Sequence, residues 1–222
     1  MRLDNNVRYL QLAFNYDLGL VQRVLPTLRA NERVFIEAGT PFIKREGMAG
    51  IRLMRSLWRG EIVADLKTSD GALGEVTLAR AAGATAATAL GSSPTETLDL
   101  FIAHCDRLGM LSMIDMIGVP DPLAVVRLLH KPPDVVVLHR GRDEESTRGK
   151  VIQYRHINRI RSKYDVFISA AGGVDLKESR SAIFNGANIV VVNLVMPGDG
   201  WVGITADVAV AATVEQYLTA MG

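Results

Sequence analysis

The stretch EIVADLKTSD (residues 61–70) places Asp65, Lys67 and Asp70 behind an apolar run. Its first part, IVADL (62–66), has the composition of a buried strand, and buried strands rarely hold charges that lack a partner or a function. The stretch therefore predicts one of two things. Either the strand tip carries a structural ion pair, or it carries a reaction centre.

Apolar runs of this kind recur along the chain, and each is followed by an amphipathic stretch with helical periodicity. The eight predicted strands are YLQLAF (9–14), VFIE (34–37), IVADLK (62–67), ATAL (87–90), MLSMID (110–115), DVVVLH (134–139), DVFISA (165–170) and NIVVVN (188–193). Runs that are apolar on both faces are typical of a parallel sheet covered by helices. A doubly wound sheet uses the same units but has fewer strands as a rule, so the pattern favours a single (β/α)8 TIM barrel over residues 1–222.

The helices between these strands have less distinct limits in the sequence. The predicted ones include Asp17–Leu28, a helix from near Gly47 to Leu57, the stretch VIQYRHINRIRSKY (151–164), and a last helix near Ala206–Leu218. Hydrophobic periodicity predicts that a helix is present more reliably than it predicts where the helix begins and ends.

The composition argues against several classes of partner. The 25 basic and 24 acidic residues give a net charge of +1, which is not the basic excess expected for binding nucleic acid or an anionic membrane. The one cysteine, Cys105, lies in a helical pattern and is predicted to fill core space in a reducing compartment. No stretch resembles a signal peptide or a membrane span, so we expect a cytoplasmic protein.

Polar residues follow the predicted strands at the end where the βα loops of a barrel converge, which is where such barrels bind and react. They are Asn15, Glu37, Asp65, Lys67, Asp115, His139 with Arg142, Gly172 with Gly173, and Asn193. Acids, an amine and a His–Arg pair at one mouth predict a substrate site there. The glycine pair also suits phosphate binding through backbone N–H groups, although tight turns need glycine in any case.

Several of these residues have a structural alternative. Asp65 and Lys67 are two apart and point to the same face of the strand, so they are also suited to an ion pair that plugs the barrel. Asp70 is also suited to be the N-cap of the next helix, and His139 to be a core histidine. Glu37 and Asp65 end adjacent strands, where their carboxylates are able to share one Mg²⁺ that completes its shell with water or substrate oxygens.

The motif Asp65-Leu66-Lys67-Thr68-Ser69-Asp70 resembles the Asp-x-Lys-x-x-Asp signature of the orotidine 5′-monophosphate decarboxylase suprafamily. The stretch IEAGTPFIKREGM (36–48) is similar to 3-hexulose-6-phosphate synthases, and HRGRD (139–143) to 3-keto-L-gulonate 6-phosphate decarboxylases. The resemblance extends over most of the chain, through LQLAF, MIDMI and AAGGV.

This resemblance implies a homodimer with shared active sites and Mg²⁺ that stabilises an enediolate. It implies that Glu37 and Asp65 ligate or orient the metal, that Lys67 hydrogen-bonds the enediolate oxygens, and that Asp70 reaches the partner's site. His139, with Arg142 nearby, would move protons. The remaining strand-end residues, Asn15, Asp115, Gly172, Gly173 and Asn193, are expected to contact a small phosphorylated sugar.

The expected activity is that of a sugar-phosphate aldolase or lyase acting on ribulose 5-phosphate and formaldehyde. The alternative enzyme is a keto-sugar-phosphate decarboxylase, which His139 and Arg142 favour. Orotidine monophosphate decarboxylase itself fits less well, because its site uses an alternating Lys and Asp array without a metal. A protein of this fold that binds a related ligand without the reaction is a third possibility.

Two positions depart from the family pattern. Family members generally end strand 1 with Leu-Asp, where this chain has Phe14-Asn15, and strand 8 with Gly-Arg, where it has Asn193-Leu194. Loss of an arginine–phosphate contact removes roughly 1.5 to 3 kcal/mol of binding energy.

Either the phosphate is held by the glycine pair together with Arg140 or Arg148, or the ligand differs at that end. The loop MPGDGW (196–201) has no family counterpart and is expected to reshape the pocket.

Overall fold

The computed structural model describes residues 3–145 and 151–222, so Arg148 lies outside the described residues. Eight parallel strands follow one another around a closed barrel, and the eighth pairs with the first. They are β1 (Tyr9–Phe14), β2 (Val34–Ala38), β3 (Ile62–Thr68), β4 (Ala86–Leu90), β5 (Leu111–Asp115), β6 (Val135–His139), β7 (Phe167–Ala171) and β8 (Ile189–Val195). The predicted (β/α)8 TIM barrel is confirmed.

Helices surround the barrel. They are α1 (Leu18–Val24), α2 (Thr40–Leu57), α3 (Ala72–Ala82), α4 (Thr95–Arg107), α5 (Pro122–Leu128), α6 (Arg142–Glu145), α7 (Arg155–Arg161), α8 (Leu176–Phe184) and α9 (Val210–Met221). A 3₁₀ turn, Leu25–Thr27, follows α1. Within the described ranges, no helix is both long and apolar enough to cross a membrane.

Three predicted helix limits were wrong. Helix α2 begins at Thr40, not near Gly47, and Gly47 instead marks a kink inside it with φ of +59°. In the stretch 151–164 only Arg155–Arg161 is helical. The last helix begins at Val210, because the chain before it forms a short unpredicted strand, β9 (Ile204–Thr205), beside the end of β8.

The side chains of each strand alternate between two apolar layers. In β1, Leu10, Leu12 and Phe14 pack outward against the helices, whereas Tyr9 and Ala13 belong to the barrel interior. The lower interior is filled by apolar side chains: Phe35, Val63, Ala86, Met113, Val135 and Ile189. Above this floor, the cavity at the carboxyl ends of the strands is lined by polar side chains and also by the apolar Val137, Ala171 and Val191.

Strand β3 is irregular where its charged residues lie. Its pairing with β4 shifts register between Ala64 and Thr68, and Lys67 has a positive φ of 49°. That conformation is unfavourable for a residue with a Cβ and persists only where neighbouring groups hold it. Here the Lys67 backbone N–H donates to Thr88 Oγ1 at 2.9 Å, on the neighbouring strand.

Candidate active site

A cavity of about 340 Å³ opens at the carboxyl end of the barrel. Nine of the predicted site residues line it: Asn15, Glu37, Asp65, Lys67, Asp115, His139, Arg142, Gly172 and Asn193. Asp70 and Gly173 are not among the lining residues. The structure thus brings together side chains from β1, β2, β3, β5, β6 and β8, although they are far apart in the chain.

The Lys67 ammonium lies between two carboxylates. Its Nζ is 2.7 Å from Asp65 Oδ2, 2.9 Å from Asp65 Oδ1 and 3.0 Å from Asp115 Oδ2. Burial favours the neutral amine, but the two carboxylates outweigh it and raise the pKa of Lys67 above its ordinary value. Lys67 is therefore a fixed positive charge at neutral pH.

Two threonines that the sequence did not single out hold Asp65 in place. The Thr88 hydroxyl donates to Asp65 Oδ1 at 2.8 Å, and the Thr40 hydroxyl lies 2.7 Å from Asp65 Oδ2. Thr88 occupies an inward position of β4, and the period-2 alternation of ATAL is the signal that identifies it. Thr40 begins α2 directly after β2, where a helix N-terminus favours a carboxylate.

The partly buried His139 is paired with the buried Asp115. His139 Nδ1 lies 2.8 Å and 3.0 Å from the two Asp115 oxygens, and the Ile117 backbone N–H donates to Asp115 Oδ1 at 3.0 Å. Because a carboxylate only accepts, Nδ1 carries the proton and Nε2 is the nitrogen open to a substrate.

Both members of this pair have shifted pKa values. Burial alone would raise the pKa of Asp115, but His139 and Lys67 hold it well below its usual range. Burial alone would lower the pKa of His139, but the Asp115 carboxylate raises it above its ordinary value. The imidazole therefore accepts a proton more readily than a free histidine does.

Glu37 is buried beside this array. Gln11 Nε2 donates to Glu37 Oε2 at 2.5 Å. Burial, reinforced by the nearby Asp65 charge, raises the pKa of Glu37 to about 7. A carboxyl with this pKa is charged only at a free-energy cost unless a cation joins it.

The donors near Glu37 suit a hard cation. Gln11 Oε1 is buried without a hydrogen-bond partner, so an amide oxygen and the Glu37 and Asp65 carboxylates line one cavity. Oxygen ligands of this kind are those that Mg²⁺ prefers. Among residues 3–145 and 151–222, no three or more His, Cys, Asp or Glu side chains form a metal site on their own. A cation here would thus keep positions for water or substrate.

The β8 side of the cavity is neutral at the two positions that depart from the family pattern. Asn15 Nδ2 donates to Asn193 Oδ1 at 3.0 Å, so the two departures contact each other across 178 residues of chain. At this side the cavity therefore presents a pair of neutral amides.

Arg140 is not among the residues that line this cavity. Its Nη2 donates to the carbonyl oxygens of Gly172 and Gly173, at 3.0 Å and 3.3 Å, and so braces the turn after β7. Gly172 has φ of +103°, and a Cβ there would collide with the Arg140 carbonyl oxygen, so the turn requires glycine. Arg140 thus lies against the glycine pair, and its part in holding a phosphate stays a prediction.

Asp70 lies outside the cavity of its own chain. It is exposed, and its Oδ1 accepts from the Gly71 backbone N–H at 2.8 Å. The N-cap of α3 is Gly71, in the left-handed conformation, so the alternative reading of Asp70 as the cap was wrong. Its predicted reach into a partner's site stays a prediction.

Three loops meet above the cavity. The Arg142 guanidinium lies over the Trp201 ring, with Cζ 4.8 Å from the ring centroid. The Tyr16 hydroxyl donates to Asp199 Oδ2, which also accepts from the Met196 backbone N–H at 2.7 Å. The loop 196–201 is thereby joined to the loops after β1 and β6.

Comparison with known proteins identifies the family of this chain. The sequence profile described as "Orotidine 5'-phosphate decarboxylase / HUMPS family" matches residues 9–193. A "Bifunctional enzyme Fae/Hps" from Methanothrix thermoacetophila is 38% identical over 186 residues, which is 83% of this chain and 47% of that protein. The chain thus spans about half the length of such curated relatives.

Solved structures show the same fold. The 3-hexulose-6-phosphate synthase from Salmonella typhimurium superposes with a TM-score of 0.82 at 26% identity, over 96% of this chain and 98% of that one. A KGPDC structure from Streptococcus mutans, with a TM-score of 0.77 at 16% identity, covers 97% of this chain and 98% of its own. At 16% identity, the similarity to the KGPDC structure shows a shared fold and nothing more.

Proposed function

Because the chain belongs to the orotidine 5′-phosphate decarboxylase / HUMPS family, we propose that it is a Mg²⁺-dependent aldehyde-lyase of the 3-hexulose-6-phosphate synthase type. Its substrates would be ribulose 5-phosphate and formaldehyde. The observation that carries the proposal is the Lys67 ammonium held between Asp65 and Asp115, with His139 on the same carboxylate. The relatives named Fae/Hps and the synthase structure support the same activity.

The array suits a reaction through an enediolate. Such an intermediate carries negative charge on two adjacent oxygens, and a fixed ammonium stabilises that charge as it develops. Asp65 and Asp115 orient the ammonium before the substrate arrives, so little reorganisation accompanies the reaction. Lys67 would therefore donate hydrogen bonds to the enediolate oxygens.

His139 is placed to move the proton. Its neutral Nε2 would take a proton from C1 of ribulose 5-phosphate, leaving the electron pair in the enediolate. C1 would then bond to the formaldehyde carbon, and the resulting alkoxide would regain the proton from Nε2. The six-carbon product contains all atoms of both substrates, and Asp115 stabilises the imidazolium between the two proton transfers.

Glu37, Asp65 and Gln11 would hold the divalent ion. When bound, Mg²⁺ polarises the substrate carbonyl and neutralises charge on its oxygens. The pKa of Glu37, raised to about 7, supports this assignment, because a cation at that place removes the cost of the buried charge.

Turnover tests the proposal directly. Purified protein with MgCl₂ is expected to consume formaldehyde only when ribulose 5-phosphate is present, and EDTA is expected to abolish this. Lys67→Ala should lower kcat by about 100- to 1,000-fold, as expected for removal of a charge-stabilising donor. Turnover that survives both Lys67→Ala and Asp65→Ala would contradict the site assignment.

The decarboxylase alternative has one observation in its favour. A His139 imidazolium held by Asp115 is also suited to protonate an enediolate formed by loss of CO₂. Release of CO₂ from a 3-keto acid sugar phosphate, without formaldehyde turnover, would establish it. Stabilisation by phosphorylated pentuloses with neither reaction would instead identify a binding protein.

A further inference from the structure

Arg142 differs from the other two basic side chains of the cavity. Lys67 and His139 are held by the buried carboxylates Asp65 and Asp115. In the described part of the chain, no salt bridge involves Arg142, whose guanidinium lies over the Trp201 ring. Glu145 and Asp199 act on this guanidinium electrostatically without forming a salt bridge with it, so its N–H donors are open to an anionic ligand.

The contact with Trp201 holds this guanidinium toward the β8 side of the cavity mouth. Trp201 lies in the loop that begins where β8 ends, and this loop is fastened by Asp199 to Tyr16. Gly203, two residues beyond Trp201, packs so closely on the carbonyl of Asn193 that a Cβ would collide with it. An aromatic face attracts a cation without neutralising it, so Trp201 orients the guanidinium and leaves its charge intact.

The strand ends on this side supply no cation. Ala171, Gly172, Val191 and Asn193 line the cavity here, and Asn193 is bound to the neutral Asn15. A phosphate group requires positive charge and several donors, and a planar guanidinium supplies both. Among the described residues on this side, Arg142 is the one that meets the requirement.

We propose that Arg142 binds the phosphate of the substrate and that Trp201 is a positioning residue that aims its guanidinium. The proposal rests on the proposed function for the identity of the ligand. It gives Arg142 a binding role in place of the proton-transfer role that the resemblance implied. Trp201 contacts Arg142 and acts through it.

Calorimetric binding of ribitol 5-phosphate, a polyol phosphate that has no carbonyl and cannot react, tests the proposal. Arg142→Gln should raise its Kd about 10- to 100-fold, as expected for loss of a charge-assisted contact. Trp201→Leu should raise it about fivefold, and Trp201→Phe, which keeps an aromatic face, should stay within about twofold of the wild type. Arg159→Gln, on the surface beside Asp121, is the matched control and should leave Kd unchanged.

Two further measurements separate positioning from general structural damage. The double variant Arg142→Gln/Trp201→Leu should bind no more weakly than Arg142→Gln alone, because Trp201 acts only through Arg142. Both single variants should raise KM for ribulose 5-phosphate and leave kcat within about threefold, since the contact is made equally in the ground and transition states. Arg142→Lys provides a second test should Trp201→Leu fail to fold, and it should bind more weakly than the wild type.

The outcomes also distinguish this proposal from the proposed function. Kd values within twofold of the wild type for both Arg142→Gln and Trp201→Leu would overturn it, as would wild-type protein that does not bind ribitol 5-phosphate. Arg142-dependent binding without aldol turnover would support it and refute the proposed function. Aldol turnover whose KM is unaffected by either substitution would support the proposed function and refute the role of Arg142.

Discussion

His139 is the residue whose charge state limits the proposed chemistry, because it must be neutral to take a proton. The Asp115 carboxylate raises the pKa of His139 against the opposing effect of burial. Asp115→Asn should therefore lower that pKa and move the acid limb of the pH profile of kcat/KM to lower pH, by about one unit. kcat on the plateau should also fall about tenfold or more, since the imidazolium loses its counter-charge.

A surface pair of the same chemistry is the control for this experiment. Asp99 Oδ2 lies 2.6 Å from His130 Nδ1 on the outside of the barrel, so Asp99→Asn should leave the pH profile unchanged. An acid limb that stays in place, or moves to higher pH, in Asp115→Asn would show that His139 is not the base.

Glu37 makes stability depend on pH. Its pKa rises from an ordinary 4.5 to about 7 in the folded protein, mainly through burial. Between these values the folded state binds the proton more tightly than the unfolded state, so the free energy of unfolding falls as pH rises. Glu37→Gln lacks this effect. As pH rises from 4.5 to 8, its free energy of unfolding should increase by about 3 kcal/mol relative to that of the wild type.

Urea unfolding without divalent ions measures this gain, with Glu32→Gln on the exposed residue before β2 as the control. Adding MgCl₂ at pH 8 should then stabilise the wild type more than Glu37→Gln, because the cation binds the ionised carboxylate. Equal stabilisation of both proteins by MgCl₂ would show that Glu37 does not bind the metal.

At the scale of elements, β3 and β4 together set the geometry of the reacting groups. Thr88 on β4 holds both the strained backbone at Lys67 and the Asp65 carboxylate, through bonds of 2.9 Å and 2.8 Å. Thr88→Val keeps the shape of the side chain but removes the hydroxyl that makes both hydrogen bonds. It should lower the free energy of unfolding by about 1 to 3 kcal/mol and kcat/KM by about tenfold or more.

Thr85, just before β4 at the opposite end, is a matched control. Its hydroxyl accepts from the Ile62 backbone N–H at 2.9 Å, so it also joins β4 to β3 but far from the cavity. Thr85→Val should cost similar stability and leave kcat/KM within about twofold. Equal kinetic losses in the two variants would show that Thr88 has no specific role in the site.

The strands could be predicted from the sequence because a buried parallel strand leaves an apolar run, as IVVV (189–192) does for β8. The charged site residues could be predicted because ionisable groups at strand ends stand out. Gln11 and Thr40 could not be singled out, since neutral polar residues are common at inward strand positions and at helix starts. The alternation of ATAL (87–90) shows that Thr88 points inward, but not that it bonds Asp65. The Asn15–Asn193 contact depends on closure of the barrel between β8 and β1, which no local pattern reveals.

At the scale of the whole molecule, we expect two chains to complete each other's sites. Asp70 is exposed and outside its own cavity, as a residue that serves a partner would be. Lys67→Ala and Asp70→Ala proteins should each be nearly inactive alone. After unfolding and refolding as an equal mixture they should regain about a quarter of wild-type activity, because half of the dimers carry one intact site.

Sedimentation under the same conditions gives the mass of the active species. A mixture no more active than its components would contradict shared sites. A monomeric active species would contradict them as well.

The central claim is that Lys67 and His139 generate and stabilise an enediolate at C1 of a ketose phosphate. The most direct test is proton NMR of ribulose 5-phosphate in D₂O with enzyme and MgCl₂ but without formaldehyde. We predict that wild-type protein exchanges a C1 proton for deuterium, and that Lys67→Ala and His139→Asn slow this exchange about 100-fold or more. Wild-type protein that leaves C1 unexchanged, or variants that exchange it at the wild-type rate, would contradict the account.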